Sequence, residues 1–255
     1  MAPVSGINGS EDLYGKIASG NRIERAKDDA AGLTISENMK EQENGLNAAT
    51  QNAKHGVDAL NIADGALAQI NDNLQRIYEL SVKASNNFMY SPGELNAMQK
   101  EIDGLMKGIE DIAKGTEYNT MKLLDGNMAD MDLATNPDGS GQKIQMANAT
   151  LEALGIDGYD VTGKFDITRI SDAIDKVNES RSEIGAKTNA LEYTINRNEL
   201  TAENTMAARS QLADLDIPQA ISEQKKNQVL DDYQMMMQRQ KMKDEEEMAL
   251  GLFRF

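Results

Sequence analysis

The feature that most restricts this chain is a seven-residue apolar repeat sustained from Leu46 to Ala84. With Leu46 as position a, the a positions are Leu46, Ala53, Leu60, Leu67 and Leu74, and the d positions are Ala49, Gly56, Ala63, Ile70, Ile77 and Ala84. A repeat averaging 3.5 residues holds one stripe of a helix against a partner, so it specifies helix-on-helix packing. Small d residues let two backbones approach closely, and Leu and Ile supply the burial. One helix is predicted over about 28–86. Composition agrees, because only 4% of the 255 residues are aromatic and Trp is absent. Narrow stripes of Ala, Leu, Ile and Met suit an elongated bundle better than a ring-filled enzyme core.

The remaining segments follow from their punctuation. Residues 1–27, rich in Gly, Ser and Asn, read as loop with room for one short helical turn. Asn86-Asn87 ends the first long helix. Ser91-Pro92-Gly93-Glu94 opens another, with a capping box and Pro at the first helical position. Leu95, Met98, Ile102, Leu105, Ile109 and Ile112 repeat at alternating spacings of three and four until Gly115. The glycine-rich stretch that follows is the one β region, with Lys143 to Ala147 and Tyr159 to Val161 as candidate paired strands. From about Thr168 the stripe returns through Ile170, Ile174, Val177, Ile184, Leu191, Ile195, Ala202 and Leu212. Asp216 then acts as N-cap for a last helix reaching about Leu250. Its apolar face is poor, interrupted by Gln, Lys and the run Asp244 to Glu247. The Met235-Met236-Met237 cluster reads either as an adaptable partner surface or as a loosely packed helix end.

The fold class is therefore mainly α, an elongated bundle of long antiparallel helices with a small β-hairpin region in the middle. Five parts are expected: 1–27 as N-terminal segment and connector, 28–126 and 166–216 as core, 127–165 as a short variable β region, and 217–255 as C-terminal helix. The packing seam is assigned to Leu60, Leu67, Ile70, Leu74, Ile77, Ile102, Leu105, Ile109, Leu191 and Ile195.

Charge and motif content narrow the function. With 26 basic and 42 acidic residues the net charge is -16, which repels phosphate backbones and anionic lipid surfaces, so no nucleic-acid partner is expected. Cysteine is absent, so disulfides and thiolate sites are excluded. No cleavable signal peptide and no apolar stretch of spanning length is visible, so membrane insertion is not expected and export would need another route. His55, the single histidine, falls at heptad position c and reads as a solvated surface residue. Asp125, Asp138, Asp157 and Asp160 lie near glycines, but their spacing does not match a calcium loop and turn chemistry explains them. Zinc, nucleophile-elbow and phosphate-loop motifs are missing. No catalytic residue, metal site or cofactor is assigned. Asp28 and Asp29 would point about 100° apart on a helix, so they read as helix-start residues rather than a shared metal site.

Around that pair the chain becomes familiar. Ala18-Ser19-Gly20-Asn21-Arg22-Ile23, then Ala26-Lys27-Asp28-Asp29-Ala30-Ala31-Gly32-Leu33 and Ile35-Ser36-Glu37, resembles the N-terminal signature of bacterial flagellins. The likeness continues through Gly65-Ala66-Leu67, Leu74-Gln75-Arg76, Glu79-Leu80 and Lys122-Leu123-Leu124-Asp125-Gly126. In the second half, Arg181, Gly185-Ala186, Asn189, Leu191, Thr194, Glu203-Asn204 and Ala208 to Asp216 resemble the family's C-terminal core helix.

The resemblance implies a secreted structural subunit of the flagellar filament, serving motility, with other flagellin subunits as partners. It implies passage through the flagellar export apparatus, with an export chaperone as a further partner. It also implies sensing by a host toll-like receptor, with Arg76, Leu80 and Glu101 on the matching positions and Tyr78 where a basic residue is common. Two departures from the family pattern stand out: a short, turn-rich N-terminus, and a C-terminal helix carrying Lys241-Met242-Lys243-Asp244-Glu245-Glu246-Glu247 where the family has an apolar one. They motivate the alternative of a non-polymerising relative acting as a minor, capping, regulatory or receptor-binding module.

Overall fold

Asp29 starts the longest helix. Its carboxylate accepts the Gly32 N–H at 2.8 Å and its carbonyl accepts the Leu33 N–H at 3.0 Å, which is N-cap geometry for α2, Ala30–Ala84. The computed structural model describes residues 7–86, 88–128 and 130–252, with side chains over 12–86, 88–128 and 130–248. In chain order the other elements are α1 (Ile7–Ser19), α3 (Pro92–Gly115), β1 (Glu117–Tyr118), β2 (Met121–Lys122), β3 (Asp130–Ala134), β4 (Gly141–Gln145), α4 (Leu151–Leu154), α5 (Thr168–Ala213) and α6 (Ile217–Leu252). The described residues form two compact units, one of those up to Glu43 together with those from Glu203 to Leu252, the other of those within Asn44–Ala202.

The second unit is built on the heptad stripe. Leu46, Ala49, Ala53, Leu60, Ala63, Leu67, Ile70, Leu74, Ile77 and Ala84 are all buried. Helix α5 runs antiparallel to α2, as the ladder Lys54–Glu199, Asp64–Arg181 and Asn71–Asn178 shows. Helix α3 is also antiparallel to α2, with Arg76 paired to Glu101 and Asn73 facing Gly108. Its start is the expected capping box, in which Glu94 N–H donates to Ser91 and the Glu94 carboxylate accepts the Ser91 N–H.

The buried face of α3 is turned slightly from the sequence reading. Ile102, Met106, Ile109 and Ala113 form its centre, and Leu95, Met98, Leu105 and Ile112 pack along its flank. The two stripes share Ile102 and Ile109. A helix lying in a groove buries both sides of its centre line, so alternating threes and fours fit either stripe.

In α5 the centre line runs Ile170, Ala173, Val177, Ile184 and Leu191, then turns polar at Thr194 and Asn198, leaving Ile195 half-buried. The cause is the β3–β4 hairpin seated there. Asn198 Nδ2 donates to the Thr135 carbonyl at 2.9 Å, Asn52 Nδ2 donates to the Ala134 carbonyl at 3.1 Å, and Gln142 donates to Thr194 at 3.2 Å. Buried main-chain carbonyls need donors, and a purely apolar helix face would leave them unpaired.

Two expectations are overturned. Tyr159 to Val161 is not a strand, because β4 pairs with β3 in the register Met131↔Ile144 and Leu133↔Gln142. The main chain at 159–161 is instead satisfied by one side chain: Gln99 donates to the Tyr159 carbonyl at 3.0 Å and accepts the Val161 N–H at 2.8 Å. The segment before Gly20 is also more than a loop, since α1 occupies Ile7–Ser19. Tertiary contact overrides its weak propensity: α1 packs on α6, and the Tyr14 hydroxyl accepts from Gln228 at 2.6 Å. Gly20, at φ +74, closes it in the left-handed conformation, its N–H bonded to the Lys16 carbonyl. The expectations for residues 1–6, and for Asn87 as part of the helix break, lie outside the described residues.

Candidate functional site

The residues between α1 and α2 form a connector held from several sides. Asp28 does not cap the helix; its carboxylate accepts the Glu24 and Arg25 N–H groups at 3.2 and 3.1 Å and pairs with Lys16 at 3.2 Å. The Arg25 N–H, the Glu24 N–H and the Lys16 ammonium hold it below the ordinary aspartate range. Asn21 bridges Asp214, Arg22 N–H donates to the Ala213 carbonyl at 2.7 Å, Leu215 N–H donates to the Gly20 carbonyl at 2.8 Å, and the Arg22 guanidinium reaches the Leu212 carbonyl. The connector is thereby stitched to the end of α5 in the same unit. Sequence spacing contains no signal for a contact across so much chain.

Leu60, Leu67, Ile70, Leu74, Ile77, Ile102, Ile109 and Leu191 are buried in one cluster with which Leu105 and Ile195 are in contact. Of the residues matched to receptor sensing, Arg76 and Glu101 lie at the surface and pair at 2.7 Å across α2 and α3, with Glu79 as a second carboxylate on Arg76 at 3.0 Å. These carboxylates raise the Arg76 guanidinium above its usual range. Leu80 is a different case. It is 4% exposed and belongs to the core. His55 is exposed, with Nδ1 3.0 Å from the Tyr118 hydroxyl.

Several polar side chains beside the surface depressions are committed to local structure. In the depression lined by Lys176, Ser180 and Glu183, Ser180 donates to the Lys176 carbonyl at 2.9 Å and Lys176 donates to the Ala153 carbonyl at 3.0 Å. Around Tyr159 and Phe165, Arg169 donates to the Gly155 and Asp157 carbonyls, while Asp160 and Asp166 accept from Thr162 and Thr168. Both carboxylates are lowered by those threonine hydroxyl and N–H donors. Among the described residues, no group of three or more His, Cys, Asp or Glu is placed to hold a metal ion. No helix among them is long and apolar enough to cross a membrane.

Among the described residues, exposed large apolar side chains are most numerous on α6. Ile221, Val229, Leu230, Tyr233, Met235, Met236, Met237, Met242 and Met248 are all exposed, although α6 touches α1. Long helices closed on apolar seams, with polar groups used for caps and stitches, define a protein built for helical packing. Comparison with known proteins makes the class specific. Residues 6–129 match the bacterial flagellin N-terminal helical region and residues 167–245 match the bacterial flagellin C-terminal helical region. The chain belongs to the bacterial flagellin family. It is 34% identical to flagellin of Bacillus subtilis, over 89% of this chain and 87% of that one. It is also 34% identical to the flagellar filament 33 kDa core protein of Treponema phagedenis, over 84% of this chain and 82% of that one. The crystal structure of Bacillus cereus flagellin shares the fold, with a TM-score of 0.52 at 22% identity, over 58% of this chain and 88% of that one.

Proposed function

We propose that this chain is a structural subunit of the bacterial flagellar filament, contributing to motility from outside the cell and associating with further copies of itself. One observation carries the reading: a member of the flagellin family exposes many apolar side chains on α6. In this reading 28–126 and 166–216 supply the core, 127–165 the outward-facing variable part, and the flanking segments the contacts between subunits. The seam residues Leu60, Leu67, Ile70, Leu74, Ile77, Ile102, Leu105, Ile109, Leu191 and Ile195 hold each subunit's own helices together. The subunit leaves the cell through the flagellar export apparatus, accompanied by an export chaperone. Negative-stain microscopy under assembly conditions is expected to show filaments, alone or seeded with full-length flagellin. A chain that sediments as a monomer even with seeds overturns the reading in favour of a capping or regulatory role.

Receptor sensing is a second reading, supported by Arg76 and Glu101 standing side by side at the surface. In it these two make the contact, and Leu80 acts from within by holding α2 on its core. Reporter cells carrying the toll-like receptor are expected to respond to the purified protein and less to Arg76→Ala. Silence at every dose removes this reading.

A further inference from the structure

One stretch of α6, residues 234–248, is apolar through a single side-chain type. From Gln234 to Met248 the sequence is QMMMQRQKMKDEEEM, and its apolar residues are Met235, Met236, Met237, Met242 and Met248. All five are 42–69% exposed, whereas Met106 and Met146 in the core are 8% and 7% exposed. Successive helical residues project about 100° apart, so Met235 to Met237 spread thioethers over about 200° of the helix surface. Any apolar contact this stretch makes is therefore made by methionine.

We propose that this run is a reversible oxidation site, at which a peroxide switches the packing of distal α6 against other copies of the chain. The switch rests on the filament reading above. The thioether sulfur attacks one peroxide oxygen, the O–O bond breaks, an S–O bond forms and water leaves. The sulfur loses two electrons and hydrogen peroxide is reduced by two. In the reverse step a sulfoxide reductase supplies two thiols, which become a disulfide as the sulfoxide oxygen departs as water. The sulfoxide is a strong hydrogen-bond acceptor, and burying it in an apolar contact without a donor is unfavourable. Within 234–248 the intervening residues are Gln, Arg, Lys, Asp and Glu, so in that stretch no other apolar side chain maintains the contact after oxidation.

The test treats the full chain with graded hydrogen peroxide and follows each methionine by peptide mass mapping, alongside seeded assembly. The α6 sulfurs are expected to gain oxygen about tenfold faster than Met106 and Met146, and oxidised chains to lose assembly by about tenfold until sulfoxide reductases restore it. Met89, Met121 and Met206 are exposed elsewhere and oxidise too. The deciding control is therefore a chain with all five α6 methionines changed to Leu, which should assemble and resist peroxide. Equal oxidation of buried and exposed sulfurs overturns the site. Undiminished assembly after full oxidation, or a peroxide-sensitive leucine variant, overturns the switch. If the leucine variant misfolds, a chain with Met89, Met121 and Met206 changed to Leu decides: it should remain peroxide-sensitive, and resistance overturns the switch. Failure of untreated protein to assemble with seeds sinks the filament reading and the switch with it, while the mapping still decides the oxidation site.

Discussion

Two adjacent aspartates in this chain have different work. Asp29 caps α2, and Asp28 ties down the turn before it. Asp29→Ala should cost about 1 kcal/mol of stability in urea titration, the usual loss of an N-cap. Gly32 belongs to the same cap, because a Cβ there would lie 2.5 Å from the Asp29 carboxylate and 2.8 Å from an Ile23 methyl. Gly65 in the same helix has nothing within 4 Å of its Cβ position. Gly65→Ala should therefore raise stability by up to about 1 kcal/mol, whereas Gly32→Ala should fail to raise it. Equal gains in both variants would reject this account of the cap. Asp28 adds a pH dependence. Its folded pKa is lowered, so its contribution is present above the ordinary aspartate value of 3.8 and is lost as pH falls below that toward the folded value. Melts of Asp28→Asn and the natural chain should diverge above that value and converge in stronger acid.

At the scale of elements, the heptad stripe of α2 was legible because every seven-residue step returns a side chain to the same partner. Leu74→Asp should destabilise the second unit by several kcal/mol, since Leu74 is fully buried, while His55→Ala should change little. Matching melts for the two would reject the register. The β region was less legible, because a two-residue period cannot name its partner strand. Gly141 decides the hairpin: a Cβ there would sit 1.7 Å from the Leu133 carbonyl oxygen, a backbone atom that cannot step aside. Gly141→Ala should break the β3–β4 pairing, read as rapid amide exchange over 130–145. Gln99 supplies the bonds that a strand at 159–161 would have found. Removing it as Gln99→Ala should cost about 1–3 kcal/mol by leaving a donor and an acceptor unpaired.

At the scale of the whole molecule, the apolar repeat, the caps at Ser91 and Asp216 and the paired flagellin-like signatures were determined by sequence alone. The repeat and the caps depend on spacing along one segment, where 3.6-residue geometry is enough, and the signatures depend on residue identity alone. Tertiary structure decided what depends on chain far away. It made α1 a helix through α6, bound the connector to the end of α5, placed Thr194 and Asn198 beneath a hairpin, and put Leu80 in the core beside an exposed Arg76. Periodicity records which face of a helix is buried, but a buried hydrogen bond is fixed only when both partners have been brought together in space.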